Sequence, residues 1–195
     1  MDAGDGRGST MITKYSRPYG SSMAGLVDFL FGPGKDGEHT DPHVIAAYDP
    51  ILFGDRGDTA LGRKMLALEL DFTRAQLRPE VGEKFVFHMT ATAAPEDGQL
   101  TDDVWCGIAD SIAAHLGFGE DETTGEAARW LGVHHGRTRS GHAHIHLVAG
   151  LVDEGGRKHR FPLPPGVMLN EVRQRVELEY RLRLVGHSPS RGTGS

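Results

Sequence analysis

The chain lacks a second cysteine, a long apolar run and an excess of positive charge. Its single cysteine, Cys106, excludes an internal disulfide and suits a reducing cytosol, so a cytoplasmic location is expected. No apolar segment approaches the roughly 20 residues that span a membrane, so membrane insertion is not expected. With 38% hydrophobic and 25% charged residues among 195, the composition is that of an ordinary globular domain.

The formal net charge of −6 argues weakly against nucleic-acid binding, because contacts to phosphates need lysine and arginine. Net charge is an average, however, and the arginines concentrate late in the chain. A basic face on an acidic protein therefore stays open. The candidate phosphate contacts are Arg137, Arg139, Arg157 and Lys158.

Polar, glycine-rich segments lie at both ends of the chain. We predict a flexible leader over residues 1–10, one domain over 11–185, and a flexible tail or artificial end over 186–195. Within the domain, strand patterns cover 11–15, 43–48, 84–92, 128–135 and 142–152. Helix patterns cover 22–31, 58–77, 101–116 and 168–184.

This alternation predicts an α+β fold with an antiparallel sheet and helices on one or both of its faces. The second helix is predicted from one apolar stripe at helical spacing, which consists of Leu61, Met65, Leu68 and Phe72. His88 lies in an alternating strand, where we expect it to pack rather than to bind a ligand.

Histidines are the most informative feature, since five of the eleven lie between residues 134 and 146. Alternate side chains of a strand share a face, so His142, His144 and His146 point the same way. Neighbours two apart are about 6–7 Å apart and can converge on one metal ion, whereas three would span about 13 Å. The third ligand is therefore expected from the adjacent strand.

The turn-rich segment 136–141 predicts a hairpin that places His135 opposite His142 on one face. The predicted metal ligands are His135, His144 and His146, with His134 and His142 as alternates. Three imidazoles leave coordination positions open, which is typical of a catalytic metal. The residues alone leave zinc, manganese, iron, cobalt and nickel open. The other interpretation is a histidine-rich surface strand without a metal.

Residues 144–157 resemble the His–hydrophobic–His motif of mobilisation relaxases, in which His144-Ile145-His146 opens an apolar strand that runs into an acidic, glycine-containing turn. Three further segments are similar, in the same order, to actinobacterial relaxase/mobilisation nuclease proteins. They are residues 22–34, 38–44 and 94–109. The similarity runs from about residue 11 to 184, so the chain resembles a nicking domain of the HUH (His–hydrophobic–His) endonuclease superfamily.

The resemblance implies a sheet of about five antiparallel strands with the HUH strand near its centre. It implies metal-dependent nicking and rejoining of one DNA strand at an origin of transfer, on a plasmid or conjugative element, through a covalent protein–DNA intermediate. Manganese or magnesium is the expected cofactor, with zinc, nickel and cobalt as alternatives. Expected partners are single-stranded origin DNA, accessory relaxosome proteins and a coupling protein.

One position departs from the family pattern. Phe29 occupies the tyrosine position before Leu-Phe-Gly-Pro-Gly, and a phenyl ring cannot attack a phosphate. Phe29 also lies off the apolar stripe of its helix, where a tyrosine hydroxyl could face a substrate. Three explanations stay open: an introduced substitution, a naturally inactive binder, or another nucleophile. Candidates for that nucleophile are His39, His43, Tyr15 and Tyr19, with Glu38 as a candidate general base.

Two other function classes stay open beside the relaxase interpretation. One is a DNA-binding module without catalysis, which Phe29 would explain directly. The other is an unrelated metal-dependent hydrolase that uses the same histidines.

Overall fold

The structure is a computed structural model that describes residues 11–15, 21–34, 39–76, 84–94, 97–118, 128–137, 142–161 and 163–182. The strands are β1 (Ile12–Tyr15), β2 (His43–Ala47), β3 (Val86–Thr92), β4 (Ala128–Arg137) and β5 (Ala143–Asp153). The helices are α1 (Met23–Leu30), α2 (Ala60–Leu70), α3 (Asp102–His115) and α4 (Pro165–Glu179). The predicted leader and tail, residues 1–10 and 186–195, lie outside the described residues. None of the described helices has the length and apolarity needed to cross a membrane.

The five strands form one antiparallel sheet in the order β1-β3-β5-β4-β2. The predicted α+β class and the central position of the HUH strand are therefore confirmed. β5 is buried along nearly its whole length because strands flank both its edges and helices cover both its faces. This explains why its sequence is a nearly continuous apolar run that only His144 and His146 interrupt.

Helices cover both faces of the sheet, and strand alternation decides which side chains meet which helices. Ile145 and Leu147 of β5 belong to the core that includes the buried residues of α3 and α4. Val148 and Val152 belong to the other core, which includes buried residues of α1 and α2. His144 and His146 have the same parity as Val148, so they face the α1–α2 side.

Helix α2 differs from its prediction in length and in the face that it buries. It ends at Leu70, and residues 72–76 form a separate 3₁₀ turn. The hydroxyl of Thr73 donates to the carbonyl of Val152 at 3.0 Å, which draws this turn onto β5.

The apolar stripe from which α2 was predicted is not the buried face of the helix. Its four members are 49–70% exposed, namely Leu61, Met65, Leu68 and Phe72. The buried face carries Leu66, Ala67 and Leu70 instead. Gly62 lies against the backbone of Arg56, where a Cβ would overlap the carbonyl oxygen. Small residues let α2 approach its neighbours closely. A prediction based on the spacing of large apolar residues does not take such small residues into account.

The β4–β5 hairpin also differs in register from the prediction. His134 pairs with Ile145 and Arg137 with Ala143, so a β-bulge sets His135 and Gly136 against the single residue His144. The prediction that His135 lies opposite His142 is therefore wrong. The bulge needs glycine at position 136, where φ is 74° and a Cβ would overlap the Thr40 hydroxyl.

Candidate functional site

Four histidines converge on the α1–α2 face of the sheet. They are His39, His135, His144 and His146, each with one ring nitrogen within 4.8 Å of the others'. All four are buried. We call them the first cluster. β4 and β5 supply three of its members, and the segment before β2 supplies His39.

His39 is the member that the metal-ligand prediction did not include, although it was a candidate nucleophile. Its ring centroid lies 3.8 Å from that of His135, and its Nδ1 lies 2.8 Å from the carbonyl oxygen of Gly32. A carbonyl can only accept, so Nδ1 carries a proton, and Nε2 is the ring atom that faces the cluster as a possible ligand. A neutral imidazole in this form can bind a metal ion through Nε2.

His88 contacts the first cluster from β3, where we had expected it only to pack. Its Nε2 lies 2.6 Å from Nδ1 of His146, and the two rings stack with centroids 4.9 Å apart. If His146 donates through Nδ1, its Nε2 is left with a lone pair, as in the outer-shell pairs of metal sites. The β3–β5 pairing brings the rings together, and the strand patterns alone did not show which strands are neighbours.

Burial lowers the pKa of three histidines at this site, His88, His135 and His146, and so keeps their rings neutral. Burial, with smaller effects from His39 and His144, lowers the pKa of His135 to about 2. Burial also lowers the pKa of His88 to about 4, and lowers that of His146 further with help from its histidine neighbours. Neutral imidazole is the form that binds metals. The neutral state therefore prepares the cluster for a cation at neutral pH.

The donor set of the first cluster fits a divalent metal ion. Both ring nitrogens of His135 are buried, and apart from a contact with the backbone of Leu30 neither has a hydrogen-bond partner of normal geometry among the described residues. Such buried polar atoms are costly unless something satisfies them. Four imidazoles and no carboxylate suit manganese, cobalt, nickel or zinc better than magnesium, which prefers oxygen ligands.

Phe29 lies at the rim of the first cluster. Its ring centroid is 5.2 Å from that of His39 and 6.1 Å from that of His146, in both cases edge to face. The side chain is 44% exposed, so it is not a core residue of α1. A large, apolar, half-exposed ring thus contacts two of the four buried histidines.

Three other predicted residues do not join the first cluster. His134 points to the opposite face of β4, where its ring lies 5.6 Å from Trp105 and 5.3 Å from His43. His43 is therefore also on that face. His142 precedes β5, and its Nδ1 lies 3.3 Å from the carbonyl oxygen of Ala93.

The predicted phosphate contacts do not form one patch around the first cluster. Arg157 pairs with Asp153 at 3.0 Å, and Asp153 lies seven positions after His146 in β5, which is roughly 23 Å of strand. Lys158 follows in the same turn and bridges to Val152. Arg137 ends β4 beside the α3 face. Arg139, Glu38 and Tyr19 lie outside the described residues, as does the side chain of Tyr15.

A family model described as "Relaxase: MobA/VirD2-like, nuclease domain" matches residues 59–182. The match covers more than half of the chain and runs from α2 to α4, so it includes β4 and β5 with their histidines. Phe29, His39 and His43 precede it. No curated protein matches the chain.

Proposed function

The chain belongs to the relaxase family of MobA/VirD2-like nuclease domains, and from this premise we propose that its first cluster holds a divalent metal for nicking and rejoining one DNA strand. The observation that carries the proposal is the convergence of four buried histidines beside the half-exposed ring of Phe29. The substrate would be single-stranded DNA at an origin of transfer. Accessory relaxosome proteins, a coupling protein and the actinobacterial type stay predictions.

The ligands in this proposal are His39, His135, His144 and His146, and manganese or another transition ion is favoured over magnesium. When bound, the ion would neutralise charge that develops on the scissile phosphate. His88 would orient His146, and burial would keep the imidazoles neutral.

Cleavage needs a nucleophile above this cluster. In the expected reaction a tyrosine hydroxyl attacks the phosphorus, a bond from its oxygen to phosphorus forms, and the bond to the 3′ oxygen breaks. The tyrosine gives up its hydroxyl proton, the leaving 3′ oxygen takes up a proton and becomes a hydroxyl, and the 5′ phosphate stays on the protein. The reverse attack rejoins the strand without an external energy source. Phe29 lies beside His39 and His146 but has no hydroxyl, so we propose that it occupies the nucleophile position and leaves this chain unable to cleave.

The test compares this chain with its Phe29→Tyr variant. Each is incubated with Mn²⁺ and single-stranded origin-of-transfer oligonucleotides that carry a 3′ fluorophore. A 5′-phosphotyrosine bond would leave the label on the protein through denaturing electrophoresis. We expect the label on the variant alone. Phe53→Tyr, the same change at another exposed phenylalanine, is the matched control and should stay unlabelled.

The other outcomes discriminate between the alternatives. A labelled parent chain would place the nucleophile elsewhere, and His39→Ala would then be the next variant. Salt-sensitive DNA binding by both proteins without labelling would favour a binding module. Metal binding without any DNA binding would favour an unrelated hydrolase. Adding His144→Ala to the Phe29→Tyr variant should abolish labelling if the first cluster is the active centre.

A further inference from the structure

A second group of metal-binding side chains lies on the opposite face of the sheet. His43, Asp102 and His134 each offer one ligand atom, and these atoms lie within 4.8 Å of one another. We propose that this group, the second cluster, binds its own divalent transition-metal ion. The proposal does not depend on the nicking reaction, because no residue is shared with the first cluster.

The fold brings the three residues together from three elements. His43 opens β2 and pairs directly with His134 of β4, while Asp102 is the first residue of α3. Asp102 Oδ2 lies 3.4 Å from His43 Nε2, and its Oδ1 lies 3.6 Å from His134 Nδ1. Zinc-type ligands at about 2.0–2.1 Å in a tetrahedron are roughly 3.3 Å apart. Each imidazole thus lies at close to that separation from one of the two carboxylate oxygens of Asp102.

The tautomer of His43 favours a cation. Its Nδ1 lies 2.8 Å from the carbonyl oxygen of Asp41, so Nδ1 donates and Nε2 is the ring atom that can bind a cation. Nε2 faces a carboxylate oxygen of Asp102 without hydrogen-bond geometry. A cation between the two atoms would satisfy both of them.

His134 supplies an independent observation. Both of its ring nitrogens are buried and make no hydrogen bond to a described residue, and its side chain is only 12% exposed. The ring of Trp105 lies 5.6 Å away. A proton shared between His43 and Asp102 would satisfy that pair but would leave His134 unsatisfied. A metal ion satisfies all three residues at once.

Two imidazoles and one carboxylate suit zinc, cobalt or nickel rather than calcium or magnesium. The cluster lines a surface cavity of about 620 Å³ together with Arg137, so an ion bound there could take further ligands from solvent. An ion there would connect β2, β4 and α3. It would also hold the start of β2, only four residues after His39, and so help to position a member of the first cluster.

Cobalt alone is the probe, and the full chain is titrated by calorimetry while tryptophan fluorescence is followed. We expect two Co²⁺ ions per chain, one of which quenches Trp105 because His134 lies next to it. Asp102→Asn should bind one ion and lose this quenching. Asp103→Asn is the matched control, since it removes the same charge from the same exposed first turn, and it should bind two.

A His144→Ala variant separates the two sites, because it should lose one ion but keep the quenching. Binding of only one ion by the parent chain, with no fluorescence change, would overturn the proposal. Equal stoichiometry in the Asp102 and Asp103 variants would overturn it as well. Both aspartates are exposed, so neither variant is expected to unfold the chain, and circular dichroism checks this directly.

Discussion

His88 offers a sharp test of how the first cluster is held in place. In the His88→Ala variant, His146 loses both a stacked ring and a hydrogen-bond partner at Nδ1. If His146 donates through Nδ1, the hydroxyl of Thr90, at 3.5 Å, is then its remaining partner among the described residues. That distance is at the limit of a hydrogen bond. We therefore expect His146 to sample other ring orientations and tautomers, which weakens metal binding.

The expected magnitude follows from the geometry of the pair. Removal of an outer-shell partner of a metal-binding histidine typically lowers metal affinity 10–100-fold, which is about 1.4–2.8 kcal/mol. The separation of 2.6 Å and the near-parallel rings place His88 in that class. Burial holds its pKa at about 4, so it is a neutral acceptor at pH 7. Thr90→Val should weaken binding far less.

The assay is a Mn²⁺ titration at pH 7.5 in the Asp102→Asn background, where the second cluster does not contribute. His88→Gln serves as the rescue variant, because its amide oxygen can reach a position similar to that of Nε2 and accept the same hydrogen bond. If the His88→Ala variant bound Mn²⁺ with an affinity within twofold of that of its Asp102→Asn parent, the reasoning would be refuted. So would a loss that His88→Gln does not restore, with a matching drop in the melting temperature of the metal-free protein, since that indicates a purely structural role.

Two pairs of substitutions test the packing of α2. Leu70→Ala should lower the free energy of unfolding by about 2–5 kcal/mol because it leaves a cavity at a buried site. Leu68→Ala, on the exposed stripe, should change the free energy of unfolding by less than about 0.5 kcal/mol. Equal losses for the two variants in urea denaturation would contradict the observed buried face of α2. Gly62→Ala should lower the melting temperature because the new Cβ overlaps the backbone carbonyl of Arg56, while Gly166→Ala in open space should leave it unchanged or raise it. A stabilised Gly62→Ala variant would show that α2 does not approach that loop as closely as described.

Local periodicity by itself determined the order and type of the strands and helices of this chain, together with the alternation that puts His144 and His146 on one face. These features depend on side chains a few residues apart, and backbone geometry converts such spacings directly into faces. The resemblance in ordered motifs added the relaxase family, which the match over residues 59–182 confirms. Phe29 could likewise be singled out from its place on the helical wheel.

Only the tertiary structure decided which elements meet. Strand order placed His88 of β3 against His146, and the pairing of β2 with β4 placed His43 beside His134. The same folding separated His43 from His39, although they are four residues apart. These outcomes depend on contacts between residues distant in sequence and on close packing at small residues. Neither leaves a periodic signal in the chain itself, so the sequence alone could not assign the histidines to two clusters.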